Sequence, residues 1–312
     1  MHVEKAVKQA GIKHAEIVIV NDGSSDDTSK VARALSLDGI PINVVDLKKN
    51  RGRFLARKQG VEAAHYDHIL FVDTRVLLHE RSLEFLHHQF QEFPDRKIWN
   101  GHVVVAKEGN VIARFWDAVV YIGWRRYFAH PHLTSFGLEE FDFYPKGTGC
   151  FFAPRAVLME ATEQFLKESH DLRFSSDDTL LIRIMAQRER IWLSPDFSCT
   201  YYSRTSLRQF VPHTYHRGIF FVDGFLRRGT RFFYPLIGFL VISVGITVLL
   251  IVHWQFVLPL LGVTLLVWAL ELVAALLFGV PPKDAFSLFA ISPLFAVCYG
   301  AGIWRGTIKR LL

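Results

Sequence analysis

Residues 16–28 read EIVIVNDGSSDDT, and this stretch decides the fold. Ile17 to Val20 are apolar and β-branched, and they stop abruptly at Asn21-Asp22-Gly23-Ser24-Ser25. The pattern predicts a buried parallel strand running into a turn, with a helix beginning near Ser25–Thr28. In open α/β sheets ligands bind outside the carboxyl ends of the strands. A carboxylate there, Asp22, can accept a hydrogen bond from a ribose hydroxyl or a base N–H. Asp22 and Ser25 can equally cap the next helix, and this segment alone leaves both readings open.

Working outward, residues 2–10 read as a short exposed helix, 42–46 as a strand and 53–65 as a helix. HILFVDT, 68–74, is a second apolar strand ending on an aspartate, followed by a helix near 80–92 and a strand at 101–106. This alternation predicts an α/β fold with a doubly wound, mostly parallel sheet. From 111 to 150 the pattern loosens, and KGTGCFFAP, 146–154, reads as a glycine loop entering a short strand. Helices near 155–168 and 177–188 flank the SSDD of 175–178, and two short strands fall within 191–202.

Charge is distributed unevenly. The chain carries 36 Lys and Arg against 30 Asp and Glu, a net charge of +6. That excess suits an anionic partner such as a nucleotide or lipid headgroups. No aromatic-basic repeat points to nucleic acid. Cys150, Cys199 and Cys298 are far apart and odd in number, which argues against a disulfide scaffold and fits a reducing compartment. Residues 232–304 hold only Glu271, Lys283 and Asp284 as formal charges. Phe232–Val252, Trp254–Phe278 and Ala285–Trp304 are each long enough to cross ~30 Å of hydrocarbon. Arg204, Arg208, Arg217, Arg227, Arg228 and Arg231 precede them among aromatics, the composition of a helix lying on a membrane surface. These arginines place residues 1–231 on the cytoplasmic side of the cell (inner) membrane. Three crossings would put Arg305, Lys309 and Arg310 outside, whereas a spanning hairpin, 232–278, with a re-entrant or interfacial third segment keeps them inside, so the region reads as two or three hydrophobic helices with the number of full crossings open. The expected organisation is a catalytic domain at 1–203, a basic interfacial segment at 204–231 and a membrane region at 232–312.

Four segments carry chemistry: NDGSSDDT (21–28), NRGRFLARKQGVEAA (50–64), FVDTR (71–75) and SSDDTLL (175–181). With KGTG (146–149) and SLRQFVPHTYHRG (206–218), their order and spacing resemble the family 2 glycosyltransferases of the GT-A fold over roughly residues 1–230. The resemblance implies a nucleotide-sugar donor, with Asp22 at the base or ribose and Asp73 near the ribose and diphosphate. It makes Arg57, Gly147, Gly149 and Arg217 further donor-binding candidates, the glycines letting backbone approach the sugar or acceptor. It implies Mg²⁺ or Mn²⁺ at Asp73, neutralising the leaving diphosphate. The last position of the family's DxD is here Arg75, which cannot ligate a metal but can pair with phosphate oxygens. Asp178 is implied as the base of an inverting transfer, with Asp177 beside it.

The family fold begins with a strand that precedes the one at 16–20, and this chain reads as lacking it. The expected activity is transfer of a sugar to a lipid-linked or polysaccharide acceptor at the cytoplasmic membrane face. The alternatives are an inactive membrane protein that has kept the fold, and a processive polysaccharide synthase.

Overall fold

The computed structural model describes residues 2–168 and 177–311. The chain forms two compact units, residues 1–104 with 130–202 and residues 105–129 with 203–312.

The first unit holds, in chain order, α1 (His2–Gln9), β1 (Ile17–Asn21), α2 (Thr28–Ala34), β2 (Ile42–Asp46), α3 (Arg53–Ala63), β3 (His68–Val72), β4 (Val76–Leu78), α4 (Ser82–Glu92), β5 (Ile98–Asn100) and β6 (His102–Val105). It resumes with β7 (Thr134–Phe136), β8 (Cys150–Pro154), α7 (Arg155–Glu168), α8 (Asp177–Ala186), β9 (Ile191–Leu193) and β10 (Ser198–Tyr201). The second unit holds α5 (Val111–Gly123), α6 (Arg125–Phe128), α9 (Leu207–Phe225), α10 (Phe233–Val252), α11 (Val257–Leu277) and α12 (Pro282–Leu311).

The α/β class stands, but the strands are of mixed direction rather than mostly parallel. Among the described residues β1 pairs only with β2, in parallel, with Val20 opposite Val45. A five-stranded sheet runs β3-β8-β5-β9-β7. Within it β8 is antiparallel to both β3 and β5, and β5 and β9 are parallel. β8 follows the glycine loop directly and folds back along β3, which reverses its direction. β1 and β3 lie in separate sheets. The segment expected as one strand near 101–106 is two: β5 joins the five-stranded sheet and β6 the β4-β10-β6 sheet. Gly101 is the pivot, where a Cβ would lie 2.6 Å from the Cys150 sulfur.

The core beneath these sheets joins Leu78, Leu86, Trp99, Phe152, Phe197 and Cys199. Its burial supplies the main driving force for the domain. α1 is not the exposed helix that its sequence suggested: Ala6 and Val7 are buried in this core, while Lys5 and Lys8 face solvent. All three cysteines are free thiols. β1 and β2 are further tied by Asn21, whose amide donates to Asp46 at 2.9 Å. Asn21, Arg33 and Ser29 together hold the Asp46 carboxyl at about 2.

In the second unit Ile112, Phe115, Ala118, Phe210, Ala275, Ala285 and Leu288 form one apolar cluster. α10, α11 and α12 are each long and apolar enough to cross a membrane.

Candidate active site

The turn after β1 is built by contacts across the chain. Asp22 does not cap α2; its carboxylate accepts from the backbone N–H of Arg51 at 2.7 Å and of Gly52 at 2.9 Å, at the start of α3. Free N–H groups at a helix start attract a carboxylate. The close approach needs glycine at Gly23, where φ is +70° and a Cβ would lie 2.5 Å from the Asn50 nitrogen. Gly52, at φ +93°, makes the sharp bend into the helix.

α3 is thus fixed at its first turn, and Phe54 packs on Phe165 of α7 with ring centroids 4.2 Å apart. This aims Arg53 and Arg57, one turn apart, at the ends of β3 and α8. Arg57 donates through Nη1 to Asp178 at 2.8 Å and through Nη2 to Asp73 at 3.1 Å. Arg53 lies 3.6 Å from the other oxygen of Asp178. Arg57 is mostly sheltered, at 13% side-chain exposure, while Asp73 keeps 44% and Asp178 30%. The guanidinium therefore sits beneath two carboxylates that still face solvent.

The glycine loop closes the site. The Asp73 N–H donates to the Gly149 carbonyl at 2.9 Å, and a Cβ on Gly149 would come within 3.3 Å of the Asp73 carboxylate. Thr148, fully buried, donates its hydroxyl to Asp178. Gly147 donates its N–H to the Asn100 side chain at 3.0 Å and has open space where a Cβ would point. Phe141, upstream of the loop, lies between the cations of Lys146 and Arg183, each 4.4 Å from its ring centre. Arg183 also pairs with Asp142 at 2.9 Å. α8 thereby holds the loop through Arg183 and meets it again at Asp178.

The structure thus brings together Asp73, Arg57, Gly149 and Asp178, with Asp22 at the start of the same helix α3. Arg75 is exposed, two residues beyond Asp73. Ser175 and Ser176 lie outside the described residues, and Asp177 is described by its backbone alone. Arg217 belongs to the second unit, where its guanidinium lies 4.5 Å over the Trp116 ring. Arg53, Thr148 and Asn100 were missed. The first had a signal, since Arg53 and Arg57 share a helix face at i, i+4. Thr148 stands between the two glycines already singled out.

Among the described residues no three His, Cys, Asp or Glu side chains converge to form a metal cage. A single carboxylate with substrate phosphates is nevertheless a sufficient donor set for Mg²⁺. Asp73 fits that role: Arg57 engages one of its oxygens, and the side chain remains 44% exposed.

Residues 3–145 match the model of Glycosyl transferase family 2. Poly-beta-1,6-N-acetyl-D-glucosamine synthase of Staphylococcus aureus (strain COL) is 27% identical over 99 residues, 32% of this chain and 24% of that protein. The Staphylococcus epidermidis synthase of the same name is 24% identical over the same length. The match thus spans about a quarter of these curated relatives. Among solved structures, S. aureus TarS 1-349 in complex with UDP-GlcNAc aligns with a TM-score of 0.45 at 14% identity, covering 67% of this chain and 58% of that one. Residues 3–145 are thus similar to glycosyl transferase family 2, and three helices later in the chain are long and apolar enough to span a membrane.

Proposed function

We propose that this protein transfers a sugar, with inversion, from a nucleotide-sugar donor to a lipid-linked or polysaccharide acceptor at the cytoplasmic face of a membrane. One observation carries the reading: Arg57 gathers Asp73 and Asp178, from opposite ends of the catalytic sequence, around one solvent-facing point. The synthases that match part of this chain name the first donor to test, a nucleotide-activated N-acetylglucosamine.

The chemistry follows from the charges. Asp178 accepts the proton of the acceptor hydroxyl as that oxygen attacks the anomeric carbon, a contribution of typically ~10²–10⁴ in rate. The bond to the diphosphate breaks on the opposite face, which inverts the centre. Negative charge grows on the leaving diphosphate and must be met by cations. Arg57 and Arg53 are placed to meet it, and Arg75 is exposed two residues beyond Asp73. As the diphosphate enters, Arg57 exchanges a carboxylate for phosphate oxygens and frees Asp178 for the acceptor. Asp22 serves the nucleoside through the turn that it organises. A divalent cation at Asp73 would supply further charge to the diphosphate.

The test is a donor-binding titration beside a transfer assay. Asp178→Asn is expected to bind nucleotide as the parent does and to lose transfer. Full activity of Asp178→Asn with loss in Asp177→Asn would move the base by one residue. Full activity in EDTA would remove the cation from the mechanism.

A further inference from the structure

α10, α11 and α12 are alike in being long and apolar, but α12 is engaged differently. A third of its most apolar window is buried, against 6% for each of the other two. Its two ends show where it lies. At the N-terminal end Asp284, 1% exposed, takes Lys107 at 2.8 Å and Arg114 at 2.8 Å. Lys107 stands two residues beyond β6, and Arg114 lies in the first turns of α5. At the other end Arg310 donates to the Val222 carbonyl of α9 at 3.4 Å. Ile303 shares a cluster with Val222 and with Leu236, in the first turn of α10. One end of this helix, ~45 Å long, therefore follows the end of α11 and meets α5, and the other meets the end of α9 and the start of α10.

Between those ends α12 meets each of the other two helices in one half. It meets α10 where Trp304 donates to Ser243 at 3.2 Å and where the Phe239 ring covers Gly300. It meets α11 where Trp268 donates to the Phe289 carbonyl at 2.8 Å and where Ser292 donates to Glu271 at 2.6 Å. These positions fall in the first half and at the middle of α10 and in the second half of α11. A third crossing would instead carry the C-terminal end of α12 toward the turn at Trp254–Phe256.

From this arrangement we propose that α10 and α11 cross the bilayer as a hairpin, while α12 lies along the near leaflet between the α5–α9 layer and the lipid. The proposal rests on the reading of the chain as membrane-anchored. The two faces of α12 match such a seat. Ala285, Leu288, Gly302, Ile303 and Gly306 are buried against protein. Phe286, Ala290, Pro293, Val297, Ala301 and Ile308 are exposed along one stripe, all apolar, and present acyl chains with a continuous surface. Arg305, Lys309 and Arg310 then share a side with the arginines before α10, as basic flanks in short loops prefer. Glu271 gains a hydrogen-bond partner inside protein instead of facing lipid.

The test labels single cysteines with a membrane-impermeant maleimide, in the full chain carrying Cys298→Ser. Cys150 and Cys199 are buried and silent. Gln255→Cys is expected to label in intact cells. Lys283→Cys and Lys309→Cys are expected to label only after permeabilisation. Labelling of Lys309→Cys in intact cells would mean a third crossing and overturn the proposal. Absence of labelling at Gln255→Cys until permeabilisation would remove the hairpin and overturn it equally. Sugar transfer measured on the same variants reads the proposed activity separately, so the two failures are distinguishable.

Discussion

A guanidinium 2.8 Å from Asp178 and 3.1 Å from Asp73 keeps two carboxylates close that would otherwise repel. It can do so because it is planar and presents a fork of N–H donors, one arm to each acid. Lysine offers a single point of charge. Arg57→Ala is expected to raise the donor KM and lower kcat, with a combined loss in kcat/KM of about 100-fold or more, the scale expected when transition-state charge loses a donor. Arg57→Lys should recover part of kcat but not the donor KM. Steady-state kinetics decide it, and unchanged kcat/KM in Arg57→Ala would remove the residue from the site. The two acids were legible in the sequence because each ends a strand or opens a helix in a recognisable motif. The bridge between them was not, since Arg57 and Asp178 are 121 residues apart. Thr148 and Asn100 escaped notice for the same reason: their partners are set by the glycine loop's path, which local patterning does not specify.

Elements show where sequence patterning succeeds and where it stops. The strand at 16–20 and the helix starting near Thr28 follow from apolar run and turn chemistry, and the structure has both. Strand direction depends on which strands become neighbours, and the short apolar run of β8 gives no sign that it folds back on β3. Packing between β4 and β10 has its own pH dependence. His79 follows β4 and its ring nitrogens meet Ser198 and Thr200 of β10, each at 2.8 Å. Burial pushes His79 below the ordinary histidine value, with His2 nearby adding repulsion. Burial likewise lowers His102, which His79 also repels. Both are therefore neutral when folded, and their contribution is complete above the unfolded value of about 6.5. It is lost as pH falls through their lower folded values, because the unfolded chain then binds more protons. The thermal midpoint in detergent should fall from pH 7.5 to pH 5.5, and His79→Gln should flatten that slope. In the second unit α9 and α12 touch through glycine. A Cβ on Gly302 would collide with the Tyr215 carbonyl, and one on Gly306 would lie 3.1 Å from the Ile219 backbone. Gly302→Leu is expected to cost about 1–3 kcal/mol or more, read as a lower thermal midpoint, whereas Gly238→Ala on α10, with open space around it, should leave the midpoint unchanged.

At the scale of the whole molecule, residues 105–129 leave the α/β domain in sequence and pack with 203–312. An amphipathic pattern such as FWDAVVYIGW, 115–124, announces a buried face but does not name its partner. The charge asymmetry was informative in another way, since it separated the charge-rich residues 1–231 from the apolar helices before any contact was known. The proposed activity requires that a membrane-held acid pair and its arginine perform sugar transfer. Membranes containing the full chain, incubated with radiolabelled sugar nucleotides and separated into lipid extract and polymer, test it most directly. Label is expected in one of those fractions from the parent protein and none from Asp178→Asn. Nucleotide binding without incorporation from any donor, or equal incorporation by Asp178→Asn, would contradict it.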